Sequence, residues 1–226
     1  MPFRKENVLK CSAFQDIKQE DMTNNKVQRL AIIAISTAFL AVASQLTIPL
    51  PLVPLTLQTL AVGIMATLLK PLDSILAICL YLMLGAIGMP VFAGGAAGFG
   101  VILGPTGGFL IGFLLQSQQV SLLGQTAFMV KSTRGKLILY SAANIIGAAW
   151  CLALGTVWLS LVARLSLQAA FKSGFLPFII PGLVKAILAA LIGYALRRAL
   201  KTHPYFAAAP AKQAEKVEET EVAEKV

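Results

Sequence analysis

The chain has 226 residues, of which 57% are hydrophobic and only 13% are charged, with a formal net charge of +9. Because a soluble domain usually carries about 25% charged residues, this composition excludes an ordinary soluble protein and indicates one whose main solvent is the lipid bilayer. Asp73 is the only acidic residue between Met22 and Glu215. The excess of Lys and Arg therefore indicates membrane topology, and no nucleic-acid partner is expected.

The apolar part of the chain lies between two polar ends. Residues 1–27 are predicted to form a cytoplasmic N-terminal segment, residues 28–200 a membrane domain, and residues 201–226 a mobile charged tail. Since a helix needs about 20 apolar residues to cross the hydrocarbon core, the membrane domain contains six candidate spans. They are 28–48, 54–69, 73–89, 103–117, 137–162 and 177–199. The second and fourth are short, and Pro54 is expected to begin the second.

Basic residues are concentrated in the loops on one side of the predicted spans. That side carries Lys26, Arg29, Lys70, Lys131, Arg134, Lys136, Arg197, Arg198 and Lys201. The other side carries only Arg164 and Lys172. Because Lys and Arg accumulate in cytoplasmic loops, both termini are predicted to lie in the cytoplasm, which requires an even number of spans. The predicted fold is an all-α bundle of six transmembrane helices, a multi-pass membrane protein.

Two loops on the outer side are uncharged. Outer loop 1, residues 47–55, reads TIPLPLVPL, and outer loop 3, which joins the third and fourth spans, lies in the glycine-rich stretch 90–113. Solvated loops are usually polar, so both are predicted to fold back as apolar lids over a site. Gly94 and Gly95 in outer loop 3 permit positive φ angles and close backbone contact with a ligand.

Glycine also recurs at every fourth residue where the fourth span begins. The positions are Gly104, Gly108 and Gly112. Small residues at this spacing allow another helix backbone to approach closely in a membrane. A tightly packed helix pair is therefore predicted here.

Lys185 is the one cation predicted to lie deep in a span. A Lys in the hydrocarbon region costs a few kcal/mol, so it usually faces a cavity or a partner. Three interpretations remain open: the side chain extends to the outer interface, it is deprotonated in the core, or it faces a polar cavity and meets a ligand. Pro181 and Gly182 are expected to begin the regular helix, which would place Lys185 in the first turn, where a helix end favours ligand oxygens.

The polar residues of the spans are few. Gln58 and Thr106 lie nearest the lids and are candidate ligand contacts, whereas Asn144 is predicted on the inner half of the fifth span. Gln58 and Thr59 are expected to face different directions on a helix. The competing interpretation for each of these residues is an interhelical hydrogen bond.

Three motifs in order, LPLVPLTLQTLAVGI, YLMLGAIGMPVFAGG and GPTGGFLIGF, resemble the BioY family, the biotin-binding S components of energy-coupling-factor (ECF) vitamin transporters. The resemblance runs from about Leu30 to Arg198. It implies a six-helix bundle that captures biotin beneath the lids. The implied substrate-binding residues are Lys185, Gln58, Phe92, Gly94, Gly95, Thr106, Asn144 and Gly182.

The resemblance also implies partners: a transmembrane T component and paired cytoplasmic ATPases, or further copies of the chain if it works alone. In such transporters small residues on the first helix contact the energising module. The corresponding residues are Ala31, Ala34, Ala38 and Ala41, which share one face of the first span. Ordinary tight helix packing is the other interpretation of this face.

One feature departs from the family pattern. The family has an Asp three residues before the Lys of the last helix, whereas this chain reads PGLVK, with Gly182 at that spacing. A carboxylate would accept hydrogen bonds from the ureido N–H groups of biotin, so another acceptor is required. Gln58, Asn144 and a backbone carbonyl remain candidates, and Lys185 is free to meet either the ureido oxygen or the carboxylate of biotin.

The sequence is also compared with what two other functions require. A related S component or a solitary transporter for another small vitamin would use the same bundle. An intramembrane enzyme is not expected, because the chain has no G-x-S-x-G motif, no carboxylate pair in the spans and a single histidine, His203, near the end of the chain. No phosphate-binding G-x-x-x-x-G-K-[ST] motif occurs, and no cofactor or metal is expected.

Overall fold

The computed structural model describes residues 26–127, 130 and 132–207. The predicted N-terminal segment before Lys26 and the charged tail after Ala207 lie outside these residues. The helices are α1 (Lys26–Gln45), α2 (Gln58–Leu68), α3 (Pro71–Ala86), α4 (Phe99–Leu103), α5 (Gly107–Thr126), α6 (Thr133–Val162), α7 (Leu167–Gly174), α8 (Leu176–Ala199) and α9 (Pro204–Ala207). Two short strands, β1 (Thr47–Ile48) and β2 (Leu55–Thr56), form an antiparallel pair, and Ala93–Gly95 and Leu200–Thr202 are 3₁₀ turns.

Three helices of the described part are long and apolar enough to cross a membrane: α1, α6 and α8. The shorter apolar helices α2 and α3 add to them. Helix α5 has 20 residues, but its centre carries the polar run Gln116–Gln119. All six predicted spans overlap a helix, although two of the predicted starts are wrong. Pro54 lies before β2, and α2 begins only at Gln58. The helix of the fourth predicted span is α5. It begins at Gly107, four residues later than predicted, and continues to Thr126.

The starts of three helices follow from their sequences. Pro71 occupies the first turn of α3, where its missing N–H would have no helical partner. The Ser132 side chain caps α6 by accepting from the Gly135 N–H, and Ser166 caps α7 by accepting from the Ala169 N–H. The Ser166 cap thus marks the boundary between α6 and α7.

Helix α5 packs most extensively on α6, and α8 packs on both α2 and α6. Glycines make the α5–α6 contact close. A Cβ on Gly108 would overlap the Trp158 side chain, and one on Gly112 would lie 3.0 Å from the Cα atom of Cys151. The predicted close helix pair is therefore present at these two residues. Gly104, the third member of the pattern, lies before α5 begins.

Helix α1 packs on α3 through polar as well as apolar contacts. Thr37 Oγ1 donates to the carbonyls of Ile33 and Ala77, each across 3.0 Å. At the end of α3 farther from the lids, Asp73 is 1% exposed and forms an ion pair with Arg29 of α1 across 2.5 Å. The Tyr205 hydroxyl of α9 donates to the other Asp73 oxygen across 2.7 Å. Burial raises the pKa of Tyr205, and its hydrogen bond to Asp73 adds to the rise, so the phenol stays a donor.

Candidate functional site

Outer loop 1 forms a hairpin that leads directly into α2. Strand β1 pairs with β2 in the register Thr47 with Thr56 and Ile48 with Leu55. The pairing brings the apolar turn residues back over the bundle, so that Val53 is buried although it lies in a loop. The first predicted lid is therefore an ordered hairpin.

Outer loop 3 is fixed by contacts with α1 and α3. Ser44 Oγ, at the end of α1, donates to the Val91 carbonyl across 2.6 Å. The Phe92 ring occupies the space where a Cβ on Gly85 would lie, so a glycine is required there. Phe92 is 1% exposed and packs edge-on against Tyr81, with ring centroids 5.5 Å apart. The loop thus holds the Phe92 side chain in a fixed position beneath it.

Gly94 and Gly95 turn this loop sharply. Their φ angles are +64° and +81°, a region that side chains with a Cβ disfavour. Their predicted conformational role is thus present. The residues on either side of them, Ala93 and Ala96, line the cavity described below, and the two glycines do not.

The sequence GPTGG connects α4 to α5. The Trp158 indole of α6 donates to the Gly104 carbonyl across 3.0 Å, which holds this connection against α6. Thr106 then precedes the first residue of α5. Its side chain lines the cavity, together with Phe109, Leu110 and Phe113 from the following turns.

A cavity of about 230 Å³ lies beneath the two loops. Its lining is mainly apolar, and few of the lining side chains are polar. The lining residues are Val53, Pro54, Thr56, Gln58, Thr59, Phe92, Ala93, Ala96, Val101, Thr106, Phe109, Leu110, Phe113, Ala148, Leu152, Phe178, Gly182 and Lys185. A largely apolar pocket with a few convergent polar groups is the usual form of a small-molecule site.

Lys185 lines this cavity, and its ammonium donates to the Thr56 backbone carbonyl across 2.8 Å. No carboxylate is among the lining side chains, so within the described part of the chain the ammonium faces the cavity without an acidic partner there. The expectation that Lys185 lies in the first turn of its helix is wrong. Helix α8 begins at Leu176, with Pro177 in its first turn and Pro181 inside the helix. The dipole of the α8 start therefore does not act at Lys185.

A chain of hydrogen bonds orients Gln58, the first residue of α2. Its Nε2 donates to the Tyr81 hydroxyl across 2.6 Å, and its Oε1 accepts from the Thr56 hydroxyl across 2.9 Å. Tyr81 is fully buried on α3. The two partners fix the amide plane of Gln58 at the cavity wall.

Thr59 also lines the cavity, beside Gln58, although the two side chains leave the helix in different directions. Successive residues on a helix point about 100° apart. Both reach the cavity because they occupy the first turn of α2, whose end borders it.

The structure brings together five of the eight predicted binding residues: Lys185, Gln58, Phe92, Thr106 and Gly182. Asn144 lies elsewhere. It is fully buried, and its Nδ2 donates to the Thr67 hydroxyl across 3.1 Å and to the Tyr140 carbonyl across 2.9 Å. The contact with Thr67 joins α6 to α2, which is the interhelical role that the sequence left open.

Most of the lining residues were not among the predicted ones, including polar Thr56 and Thr59, and neither was Tyr81, which holds Gln58 from behind. Thr59 was seen as polar but not assigned, and Tyr81 was quoted only within a family motif. The proximity of polar Thr56 and Gln58 to the lid was a usable indication for Thr59. The Tyr81 contact joins residues 23 positions apart and depends on the relative rotation of α2 and α3.

The face of α1 that resembles a partner-binding surface is mostly exposed, and only Ala41 packs against the core. Ala31, Ala34 and Ala38 are exposed, and Ala41 is partly exposed. The opposite face, with Ile33, Thr37 and Leu40, is buried. Among the described residues, no group of three or more His, Cys, Asp or Glu side chains is placed to hold a metal ion.

Comparison with known proteins gives a consistent result. The family model described as BioY family matches residues 17–202. Biotin transporter BioY2 of Lactococcus lactis subsp. cremoris is 44% identical over 186 residues, which cover 82% of this chain and 99% of that protein. Biotin transporter BioY of Thermotoga maritima is 34% identical over 172 residues, which cover 76% of this chain and 97% of that protein.

A solved structure agrees with these sequence relationships. The crystal structure of the S-component for biotin from an ECF-type ABC transporter superposes with a TM-score of 0.68 at 30% identity, covering 77% of this chain and 93% of that one. The resemblance inferred from the three motifs is therefore confirmed. This chain belongs to the BioY family.

Proposed function

We propose that this chain captures biotin and serves as the substrate-binding S component of an ECF-type vitamin transporter in the bacterial cytoplasmic membrane. The observation that carries the proposal is the ammonium of Lys185, which faces a largely apolar cavity whose lining contains no carboxylate. Relatives named as biotin transporters and a solved S-component for biotin support the choice of ligand.

The chemistry of biotin matches this cavity. Its thiophane ring and aliphatic chain are apolar and suit walls formed by Phe92, Phe109 and Phe178. Its ureido group and carboxylate both offer oxygen acceptors for the Lys185 ammonium. Binding of such an oxygen would give the ammonium the partner that the lining side chains do not supply. Thr106 and Gln58 add polar groups, and Gly182 leaves space beside Lys185.

The membrane topology that we propose has six spans and both termini in the cytoplasm. Helices α1, α2, α3, α5, α6 and α8 would be the spans, with the two lids outside. The distribution of charge supports this orientation, because Arg29, Lys70 and Arg197 lie toward the end of the bundle away from the cavity. Biotin would then enter from outside beneath the lids.

Energy for release would come from partners, since we assign no ATP-binding motif to this chain. We propose that a transmembrane T component docks on the exposed alanine face of α1 and connects it to paired ATPases. Small residues allow a second helix to approach closely in a membrane. The exposure of Ala31, Ala34 and Ala38 is consistent with a docking face left open for that helix. A solitary homo-oligomer would use the same face between copies.

Binding of biotin to the purified full chain in detergent or nanodiscs tests the proposed ligand. We expect saturable binding at submicromolar concentration, displaced by unlabelled biotin and not by thiamine or riboflavin. Absence of binding at micromolar biotin, or tighter binding of another vitamin in the panel, would overturn the proposal. The second outcome would instead identify a related S component.

A second experiment separates capture from transport. In cells that co-express the T component and ATPases, Ala34→Phe should lower biotin uptake and co-purification of the module while leaving biotin binding unchanged. Ile138→Phe is the matched control, because Ile138 is 70% exposed on α6, away from the alanine face of α1. Equal effects of the two substitutions would argue against docking on the alanine face.

A further inference from the structure

Tyr81 contacts two residues of the cavity lining without lining the cavity itself. Its side chain lies on α3 and is fully buried. The hydroxyl accepts a hydrogen bond from Gln58 Nε2 across 2.6 Å, and the ring packs edge-on against the Phe92 ring, with centroids 5.5 Å apart. Gln58 and Phe92 both line the cavity, whereas Tyr81 is not among the lining residues. One side chain behind the cavity wall therefore supports a polar and an aromatic residue of the lining.

The Tyr81 hydroxyl restricts a side chain that otherwise has considerable freedom. Glutamine has three side-chain torsions, and ordering such a side chain when a ligand binds reduces the affinity. Both ends of the Gln58 amide are already held. Its Nε2 donates to Tyr81, and its Oε1 accepts from the Thr56 hydroxyl across 2.9 Å. The amide is thus ordered by folding, before a ligand binds.

These two hydrogen bonds leave the Gln58 amide able to bind a ligand. A glutamine amide has two N–H donors and an oxygen with two lone pairs. Tyr81 uses one N–H and Thr56 uses one lone pair, so one donor and one acceptor remain. Of the two amides that the sequence left as candidate acceptors, Gln58 and Asn144, only Gln58 lines the cavity.

We propose that Tyr81 is a positioning residue for ligand capture, whose hydroxyl holds the Gln58 amide in the orientation that binds the polar part of the ligand. This inference rests on the proposed function, biotin capture. Without the hydroxyl, Gln58 Nε2 would lose its partner and only Thr56 would restrain the amide. The ligand would then bind only the fraction of molecules in which the amide is correctly oriented, which weakens the apparent affinity.

The first test removes the hydroxyl and keeps the ring. Tyr81→Phe preserves the packing against Phe92, and we expect the Kd for biotin to rise about fivefold, equivalent to about 1 kcal/mol. Tyr140→Phe is the matched control, because it removes another buried phenol hydroxyl, which donates to the Gly124 carbonyl and lies outside the cavity lining. Its Kd should stay within about twofold of the parent chain. Equal Kd values for Tyr81→Phe and Tyr140→Phe would overturn the proposal.

A double variant tests whether Tyr81 acts through Gln58. Gln58→Leu removes the amide and should by itself raise the Kd for biotin about tenfold. If Tyr81 only positions this amide, adding Tyr81→Phe to Gln58→Leu should not raise the Kd further. A further rise of about fivefold would mean that the phenol acts through Phe92 or through general packing, and the positioning role would be wrong.

The outcomes also separate this inference from the proposed function. If the parent chain binds biotin and Tyr81→Phe binds equally well, only the role of Tyr81 is wrong. If the parent chain does not bind biotin, the proposed function fails and the role of Tyr81 fails with it. Thermal unfolding of each variant in the same detergent checks that lost affinity does not reflect lost folding.

Discussion

The Lys185 ammonium donates to the Thr56 backbone carbonyl across 2.8 Å and so joins α8 to the strand residue that precedes α2. An ammonium has three donors, and one neutral carbonyl leaves its charge unbalanced. The same contact links the last long helix to the lid hairpin, because Thr56 belongs to β2. A ligand oxygen at Lys185 would therefore lie beside the strand that ends this hairpin.

Removal of this ammonium should weaken ligand binding without unfolding the chain. Lys185→Met keeps a long side chain and removes the charge, and we expect the Kd for biotin to rise at least tenfold, about 1.4 kcal/mol. Because a buried Lys costs a few kcal/mol in a membrane, the midpoint of thermal unfolding should stay the same or rise. Calorimetric titration and thermal unfolding of the purified protein measure the two effects.

Lys172→Met is the matched control for this substitution, since Lys172 is exposed in α7 and is not part of the cavity lining. It should leave the Kd unchanged. A Lys185→Met variant that binds biotin within about twofold of the parent chain would remove Lys185 from the binding residues.

Filling the cavity at Gly182 should also weaken binding. A Cβ added there would lie 3.8 Å from the nearest atom, Leu152 Cδ1, so the backbone accepts a side chain without overlap. The larger side chain of Gly182→Val would enter space that we assign to the ligand, and we expect at least a tenfold rise in the Kd for biotin. Equilibrium binding and thermal unfolding together distinguish a filled cavity from a misfolded protein.

Gly100→Val controls for the introduction of valine at a helical glycine. A Cβ on Gly100 meets no atom within 4 Å, and Gly100 does not line the cavity. Its affinity for biotin should match that of the parent chain. If both variants weaken binding equally, the loss of affinity comes from placing valine in a helix and not from a smaller cavity.

Much of the helical architecture could be predicted from the sequence, because the hydropathy of a segment indicates whether lipid or water surrounds it. Each predicted span overlaps a helix, and Lys185 was identified because a cation within an apolar stretch is costly wherever it lies. Helix starts were less predictable. Proline fits the first turn of a helix, yet it is equally compatible with a turn before one, as at Pro54, or with a position inside a helix, as at Pro181.

The composition of the site was harder to predict because it depends on contacts between distant elements. Asn144 and Gln58 are both amides in spans, but Asn144 meets Thr67 whereas Gln58 meets Tyr81 at the cavity. Nothing local to either residue distinguishes these environments. The difference arises from the depth and rotation at which α2, α3 and α6 pack.

The α5–α6 contact predicts a loss of stability when Gly112 gains a side chain. A Cβ at Gly112 would lie 3.0 Å from both the Cα and Sγ atoms of Cys151, and backbone atoms cannot move aside at low cost. Overpacking a well-packed core costs typically about 1–3 kcal/mol. Gly112→Val should therefore lower the thermal unfolding midpoint by several degrees, as measured in detergent by intrinsic fluorescence. A midpoint equal to that of Gly100→Val would show that the two helices separate easily.

The buried carboxylate of Asp73 should stabilise the end of the bundle that lies away from the cavity. Arg29 of α1 and Tyr205 of α9 both bind this carboxylate, so it joins three elements that are distant in sequence. Because hydrogen bonds to charged groups contribute about 1.5–3 kcal/mol, Asp73→Asn should lower the thermal unfolding midpoint clearly. Tyr205→Phe, which removes one hydroxyl, should lower it less.

The double variant measures whether the two residues act as one unit. If they do, Asp73→Asn with Tyr205→Phe will be less destabilised than the sum of the single variants, since the second change removes a contact that the first has already weakened. The Kd for biotin should be unchanged in all three variants, because neither residue lines the cavity. Strict additivity would mean that Tyr205 stabilises the chain through its packing and its cation–π contact with Lys70, and not through Asp73.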